Sequence, residues 1–390
     1  MLLVGPRGSG KTTTAARHAA TVLHLDRSAE RGVVEADPDA AISAGPRPRL
    51  IDEWQLVPDV LGAVKRAVDA DFTGGQFLLT GSARSDLLTS GWAGTGRIVR
   101  LHLWGMTERE LLGRGDGDTF LQRALDPSAE LPATSDAPNL RGYVERALRG
   151  GLPQLARAAS PTRHALLADA YVDQLVTRDV EASGSRRRAP GRLRGYLRAV
   201  ALSTAGTPAT ERLLQAAGID RATAMAYDDV LETLLVAQRV QPYVNNRLSR
   251  LVRRPKRYLA EPSLLGPLAG IDERGVLRDV DLLGRLLDTY VAAQLRPELE
   301  LIAPRPQLLH LRDANGDHEV DLLVELADGR VLAIEIKASA APTRDDARHL
   351  RWLRDRVGED FVRGIVFHTG PRSFQYEPNI WYLPIAALWE

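Results

Sequence analysis

The sequence predicts an α/β fold: a parallel sheet covered by helices, then a helical stretch, then a mixed α/β region. Three observations predict it. Short apolar runs alternate with helical stretches over about the first 110 residues, the pattern of parallel strands joined by crossover helices. A glycine-rich turn between the first strand and the first helix reads Gly5-Pro-Arg-Gly-Ser-Gly-Lys-Thr12, the full GxxxxGK[ST] spacing. Near the C-terminus, two apolar strands carrying paired acids flank an Asp328-Gly329 turn.

Taken in order, strands are predicted at Met1–Val4, Thr21–Leu25, Arg49–Ile51 and Gln76–Thr80, with a helix starting at Lys11. Residues 1–112 form the first predicted domain. Residues 113–139 are rich in Gly, Asp and Pro and read as a linker. A helical region follows at 140–206. Residues 207–270 have helix-turn-helix spacing, Ala209–Ala217 and Arg221–Leu235 around a Gly218 turn, with strands Val236–Val244 and Leu251–Leu259 as a wing. The last domain spans 280–390 and contains a helix at Gly284–Leu295, the hairpin, and a strand at Gly364–His368.

Composition narrows the function classes. The chain has 390 residues with 51 basic and 50 acidic side chains, so a general polycation is excluded while a local basic face is not. There is no cysteine, which removes disulfides, thiolate nucleophiles and Cys-based zinc sites. No apolar run approaches the roughly 20 residues of a membrane span, and no signal peptide is read, so a cytoplasmic protein without membrane contact is expected. Only four lysines occur, Lys11, Lys65, Lys256 and Lys337. Codon bias explains the dominance of arginine, but the two cations are not interchangeable at chemical sites.

The phosphate loop carries the first chemistry. Backbone N–H groups of Gly5, Gly8, Ser9, Gly10 and the start of the helix would face phosphate, with Pro6, Arg7 and Thr13 in the same loop. Lys11 would reach the β- and γ-phosphates of ATP, and Thr12 would bind Mg²⁺. Arg49-Leu-Ile-Asp52-Glu53 supplies the second element, with Asp52 on the metal and Glu53 activating water. Phe77-Leu-Leu-Thr80-Gly81-Ser82 ends a strand in hydroxyls, which makes Thr80 and Ser82 candidate γ-phosphate sensors. Arg97 is a candidate arginine finger, in cis or in trans, and an oligomer is left open.

The C-terminal acids carry the second. Glu319-Val-Asp321 and Glu335-Ile-Lys337 have the order of the PD-(D/E)xK metal-dependent nucleases, in which the acids bind Mg²⁺ and the lysine positions water. A three-residue loop, Ala327-Asp328-Gly329, would place Leu326 opposite Arg330, Asp321 opposite Glu335 and Glu319 opposite Lys337. A two-residue loop would slip the register and separate the acids from Lys337. Asp288, on the preceding helix, adds a further candidate metal ligand. In the wing, Arg247, Arg250, Arg253, Arg254, Lys256 and Arg257 concentrate positive charge suited to DNA phosphates. Asp228, Asp229 and Glu232 on the second helix argue against direct base reading, which leaves sequence-nonspecific contact or a purely structural winged helix.

The series GPRGSGKT, LIDEWQLVPD, LLTGSAR, GRIVRLHLWGMTERE, RRPKRYLAEPSLLG, EVDLLVE and AIEIKAS resembles a bacterial and archaeal family of AAA-type ATPases. The resemblance covers nearly the whole chain. It implies a P-loop NTPase domain with an AAA-type parallel sheet, then a helical and winged-helix region, then a PD-(D/E)xK nuclease-like domain of unknown function. It implies an ATP-binding protein, an ATPase, of unassigned biological role. The reading adopted for the whole chain is an ATPase whose nucleotide state biases the C-terminal module, with two alternatives. One is a nucleotide-gated DNA-binding protein with negligible turnover; the other is an active Mg-dependent endonuclease. Relatives usually have more chain before the phosphate loop, so whether Met1 is the native start stays open. Relatives usually carry Glu where this sequence has Asp288. Lys65 and Arg178-Asp179 match recurring family positions without a derived role.

Overall fold

The computed structural model describes residues 1–81, 96–132, 134, 136–179, 190–244, 254–313 and 317–390. Two compact units result, Met1–Trp104 with residues 233–235, and Gly105–Glu232 with Val236–Glu390.

In the first unit, β1 (Leu2–Val4), β2 (Thr21–His24), β3 (Arg49–Asp52), β4 (Phe77–Thr80) and β5 (Arg100–His102) form one sheet in the order β2-β3-β4-β1-β5. Every pairing is parallel. Alternate residues point to opposite faces of a strand, and both faces here are covered. Leu2, Ile51 and Leu79 pack with residues of α2 (Ser28–Ala36), α3 (Pro38–Ser43) and α4 (Val60–Ala70). Leu3, Leu50 and Leu78 pack instead with Ala15 of α1 (Lys11–Ala16). That two-sided burial explains why the strands read as unbroken apolar runs.

The second unit begins with α5 (Glu108–Leu111), α6 (Phe120–Leu125), α7 (Leu140–Arg149), α8 (Pro161–Gln174), α9 (Pro190–Leu202), α10 (Thr210–Ala217) and α11 (Arg221–Thr233). It continues through β6 (Ala237–Pro242), β7 (Lys256–Leu259), α12 (Val280–Leu299), β8 (Gln307–Arg312), β9 (Glu319–Glu325), β10 (Val331–Ile336), α13 (Arg348–Val357), β11 (Phe361–His368), β12 (Phe374–Glu377) and β13 (Ile380–Pro384). The strands make one mixed sheet, β12-β13-β11-β10-β9-β8-β6-β7. The wing strands are therefore not a separate domain: β6 runs parallel to β8, with Gln241 beside Leu309, and the β6–β7 hairpin edges the C-terminal sheet.

The expected linker is also folded. A capping box of Thr119 and Gln122 starts α6, whose Phe120, Leu121 and Ala124 are fully buried. Ahead of it, the Arg109 guanidinium donates to the carbonyls of Arg114 (2.6 Å), Asp116 (2.5 Å) and Asp118 (2.7 Å). A segment with linker composition is thus wrapped around one cation. The Leu121 N–H donates to Glu298 at 2.7 Å, fixing α6 to α12. Burial raises the Glu298 carboxyl to about 7, against the pull of that hydrogen bond.

Because the folded value lies above the ordinary 4.5, Glu298 contributes stability below pH 4.5 that is lost as pH rises through about 7. Glu298→Gln keeps an acceptor for Leu121 and removes the titration. The wild type minus variant difference in unfolding free energy is expected to change by up to about 3 kcal/mol across that window, read from urea midpoints at several pH values.

The C-terminal hairpin has the longer loop. Leu326 N donates to Arg330 O at 2.8 Å, Gly329 N donates to Leu326 O at 3.0 Å, and Gly329 takes φ +94°. Pairing runs from Val331 opposite Glu325 to Ile334 opposite Leu322. Its continuation sets Asp321 against Glu335. Among the described residues, no helix is long and apolar enough to cross a membrane.

Candidate functional site

In the first unit the phosphate loop leaves the C-terminal end of β1, between β4 and β5. Gly5 is required by close approach, since a Cβ there would lie 2.1 Å from Leu103 O. Gly10 takes φ 93° at the start of α1. Lys11 Nζ donates to Gly5 O (3.0 Å) and Pro6 O (2.9 Å), folding back over the loop. Burial pushes its ammonium down, opposed by the charges of Glu53 and Asp52. Pro6 and Ser9 are buried, whereas Arg7, Gly8 and Thr13 are exposed. Ser9 Oγ is buried with no hydrogen-bond partner among the described residues.

Asp52 gathers the strand ends. Parallel register sets His24 beside Asp52 and Asp52 beside Thr80. Thr12 Oγ1 donates to Asp52 Oδ1 at 2.8 Å and Thr80 Oγ1 donates to the same oxygen at 2.6 Å. His24 Nδ1 lies 3.5 Å from Asp52 Oδ2. His24, Asp26 and Asp52 each offer a ligand atom within 4.8 Å of the others. The sequence reading did not include His24 and Asp26, because only the strand order brings β2 next to β3. Glu53 follows with φ 56° and ψ 40°, a left-handed conformation that costs a non-glycine residue about 1–2 kcal/mol. Gln55 Nε2 donates to its carboxylate. An unpartnered buried hydroxyl, a lysine resting on loop carbonyls, and the Thr12 hydroxyl against the Asp52 carboxylate fit a phosphate chain with its metal ion.

Arg97 forms an ion pair with Asp69 of α4. It precedes β5, where Leu2 N donates to Val99 O at 2.9 Å. This is the N-terminal edge of the sheet, and the phosphate loop leaves the opposite edge. An arginine finger in cis is therefore not supported, and a role in trans would need a second copy. Ser82 lies outside the described residues.

In the second unit a cavity of about 1180 Å³ is lined by Lys256, Asp288, Asp321, Glu335, Lys337 and His349, among others. Lys337 Nζ lies 2.9 Å from Glu335 Oε2. Burial raises the Glu335 carboxyl to about 8, helped by Asp321 and opposed by Lys337. Burial likewise raises Asp288 to about 7 against the pull of Lys256. For Asp321 the balance is reversed: burial opposes ionisation, but Lys256 and Lys337 outweigh it and hold the carboxyl low.

Lys256 stands at the centre of these acids. Lys256 and Tyr258 are two apart on β7 and so share a face. Both reach Asp288, Lys256 Nζ on Oδ2 at 2.8 Å and the Tyr258 hydroxyl on Oδ1 at 2.9 Å. Arg257, on the other face, donates to Asp228 Oδ2 at 2.7 Å, and Tyr196 donates to Asp228 Oδ1 at 2.7 Å.

Two of the six basic residues assigned to DNA are thus engaged inside the fold. Arg254 is exposed, and Arg247, Arg250 and Arg253 lie outside the described residues. Asp228 is buried, so it is not part of a helix face turned to a groove. Arg257→Ala strands that carboxylate, and we expect it to cost about 2–3 kcal/mol in a urea melt while leaving low-salt DNA retention unchanged. The side chains of Arg178 and Asp179 fall outside the described residues.

Comparison with known proteins places matches along most of the chain. A family model described as an AAA domain matches residues 1–112. Two models of domains of unknown function, DUF8612 and DUF4143, match residues 140–275 and 283–388. An uncharacterized protein of Mycobacterium bovis is 30% identical over 347 residues, 88% of this chain and 71% of that protein. An uncharacterized protein of Mycobacterium tuberculosis matches to the same extent. A crystal structure of a Vibrio cholerae protein aligns over 100% of this chain and 95% of its own, at 12% identity and a TM-score of 0.20, too loose a superposition to inform the fold.

Proposed function

The chain belongs to the AAA-type ATPase family with a C-terminal part of unknown function, together with the two mycobacterial proteins, and from that premise we propose that it is an Mg-ATP-dependent ATPase. The observation that carries this reading is the convergence of Thr12 and Thr80 on buried Asp52, one residue before Glu53 and beside the Lys11 loop. Residues 5–13 would hold the phosphates, and Thr12 with Asp52 would hold Mg²⁺. When bound, the ion neutralises charge on the β- and γ-phosphate oxygens.

The protein's own groups do the rest. Lys11 exchanges its bonds to Gly5 O and Pro6 O for phosphate oxygens. Glu53 accepts a proton from the attacking water. Thr80 ties the strand end to Asp52 and reports the state of that carboxylate to β4.

The domain reading that goes with this is an ATPase unit followed by a single C-terminal body. That body combines the helix-turn-helix, its hairpin and the PD-(D/E)xK-like strands. ATP state would bias that body, and its cavity is the candidate place for a ligand. Contact with DNA would rest on Arg254 and the neighbouring arginines at 247–253, not on Lys256 or Arg257.

Phosphate release by the purified chain, with and without DNA, tests the proposal. Mg-dependent turnover supports it, and acceleration by DNA extends it to a nucleic-acid partner. Absence of turnover in both conditions favours a nucleotide-gated module instead.

A further inference from the structure

We infer that the Lys256 ammonium is the resident cation of the C-terminal carboxylate cluster, standing where the [DE]xK arrangement would otherwise take a divalent metal ion. Lys256 Nζ lies 2.8 Å from Asp288 Oδ2, 3.1 Å from Asp321 Oδ1 and 3.2 Å from the Asp321 carbonyl. These are the hard oxygen donors that Mg²⁺ or Mn²⁺ would use. The lysine is 2% exposed, so solvent does not carry its charge; the acids do.

Three further oxygens of the set are engaged as well, while Glu335 Oε1 is buried with no hydrogen-bond partner among the described residues. Asp288 Oδ1 accepts from Tyr258, Asp321 Oδ2 accepts from Ile336 N at 3.0 Å, and Glu335 Oε2 accepts from Lys337. Among the described residues, the three-ligand grouping close enough for one ion is His24, Asp26 and Asp52, in the other unit.

Geometry makes the two cations exclusive. A divalent ion would sit roughly 2.0–2.6 Å from the same oxygens that face the ammonium. It would therefore overlap Nζ unless β7 moved. The lysine comes from the β6–β7 hairpin, outside the two strands that carry the acids, so the hairpin closes the site from the side. Asp288, Asp321 and Lys256 then act as a tie between α12, β9 and β7. The cavity beside them is a binding space without a metal-activated water.

Mn²⁺ binding to the nucleotide-free full chain, followed by electron paramagnetic resonance, tests this. Wild type and Asp321→Asn are expected to bind the same amount of Mn²⁺. Lys256→Met is expected to gain a bound Mn²⁺ that Lys256→Met/Asp321→Asn loses again. Loss of bound Mn²⁺ in Asp321→Asn relative to wild type would overturn the inference, as would a folded Lys256→Met that gains none. Should Lys256→Met fail to fold, wild type against Asp321→Asn and Glu335→Gln decides alone. Equal Mn²⁺ supports the lysine as resident cation, and a loss in either variant refutes it.

Discussion

Glu53→Gln is expected to slow phosphate release by roughly 10²–10⁴-fold, the usual contribution of a positioned general base, while ATP affinity stays within about twofold. Glutamine keeps the size of the side chain and its contact with Gln55 but cannot take a proton from water. The carboxylate stands in a left-handed backbone position directly after β3, a strained geometry for a residue other than glycine. That strain separates a catalytic role from a structural one. Glu53→Gly should raise the melting temperature of the first unit slightly and still abolish turnover. A residue kept only for packing would lose stability on the same substitution. Single-turnover kinetics together with a fluorescent nucleotide titration give both readouts.

Lys256→Met carries the largest expected stability effect, a loss of about 3–5 kcal/mol from the second unit. Removing one partner of a buried ion pair leaves the other charge uncompensated. Here two carboxylates, Asp288 and Asp321, lose the same ammonium. Lys256 keeps its proton because Asp288, Tyr258 and Asp321 outweigh the burial that opposes its charge. Lys256→Met/Asp321→Asn should recover part of the loss, since it also removes the carboxylate that the lysine holds ionised. Urea midpoints at constant m read the effect. A change below about 1 kcal/mol in the single variant would mean that the acids are neutralised by protonation and not by the lysine.

The two chemistries were legible in the sequence to different depths. The phosphate loop, the Arg49–Asp52 strand and the hairpin loop are local features, fixed by residues close in the chain, and the structure has them at those places. Gly329 at φ +94° closes the longer of the two loops that the Asp328-Gly329 turn left open, and that loop sets the register that brings Asp321 toward Glu335. What was not legible depends on distant partners. Lys256 sits in a run of arginines and reads as a phosphate contact, yet its acids lie 32 and 65 residues away on α12 and β9. His24 joins Asp52 only through the order of the strands. Composition also misled at residues 113–139, where Gly and Asp suggested a linker. There Arg109 organises the loop, and the short Phe120-Leu121…Ala124 face of α6 is buried. The Arg97 side chain had the right residue type for a finger, but strand direction places it at the far edge of the sheet.

Equilibrium binding of ATP to wild type and Lys11→Ala, with and without Mg²⁺, tests the central claim most directly. The account predicts Mg-dependent binding by wild type and a loss of at least about tenfold in Lys11→Ala, since the ammonium is the loop's own charge for the β- and γ-phosphates. Equal binding by the two proteins, or no binding by wild type, would contradict it.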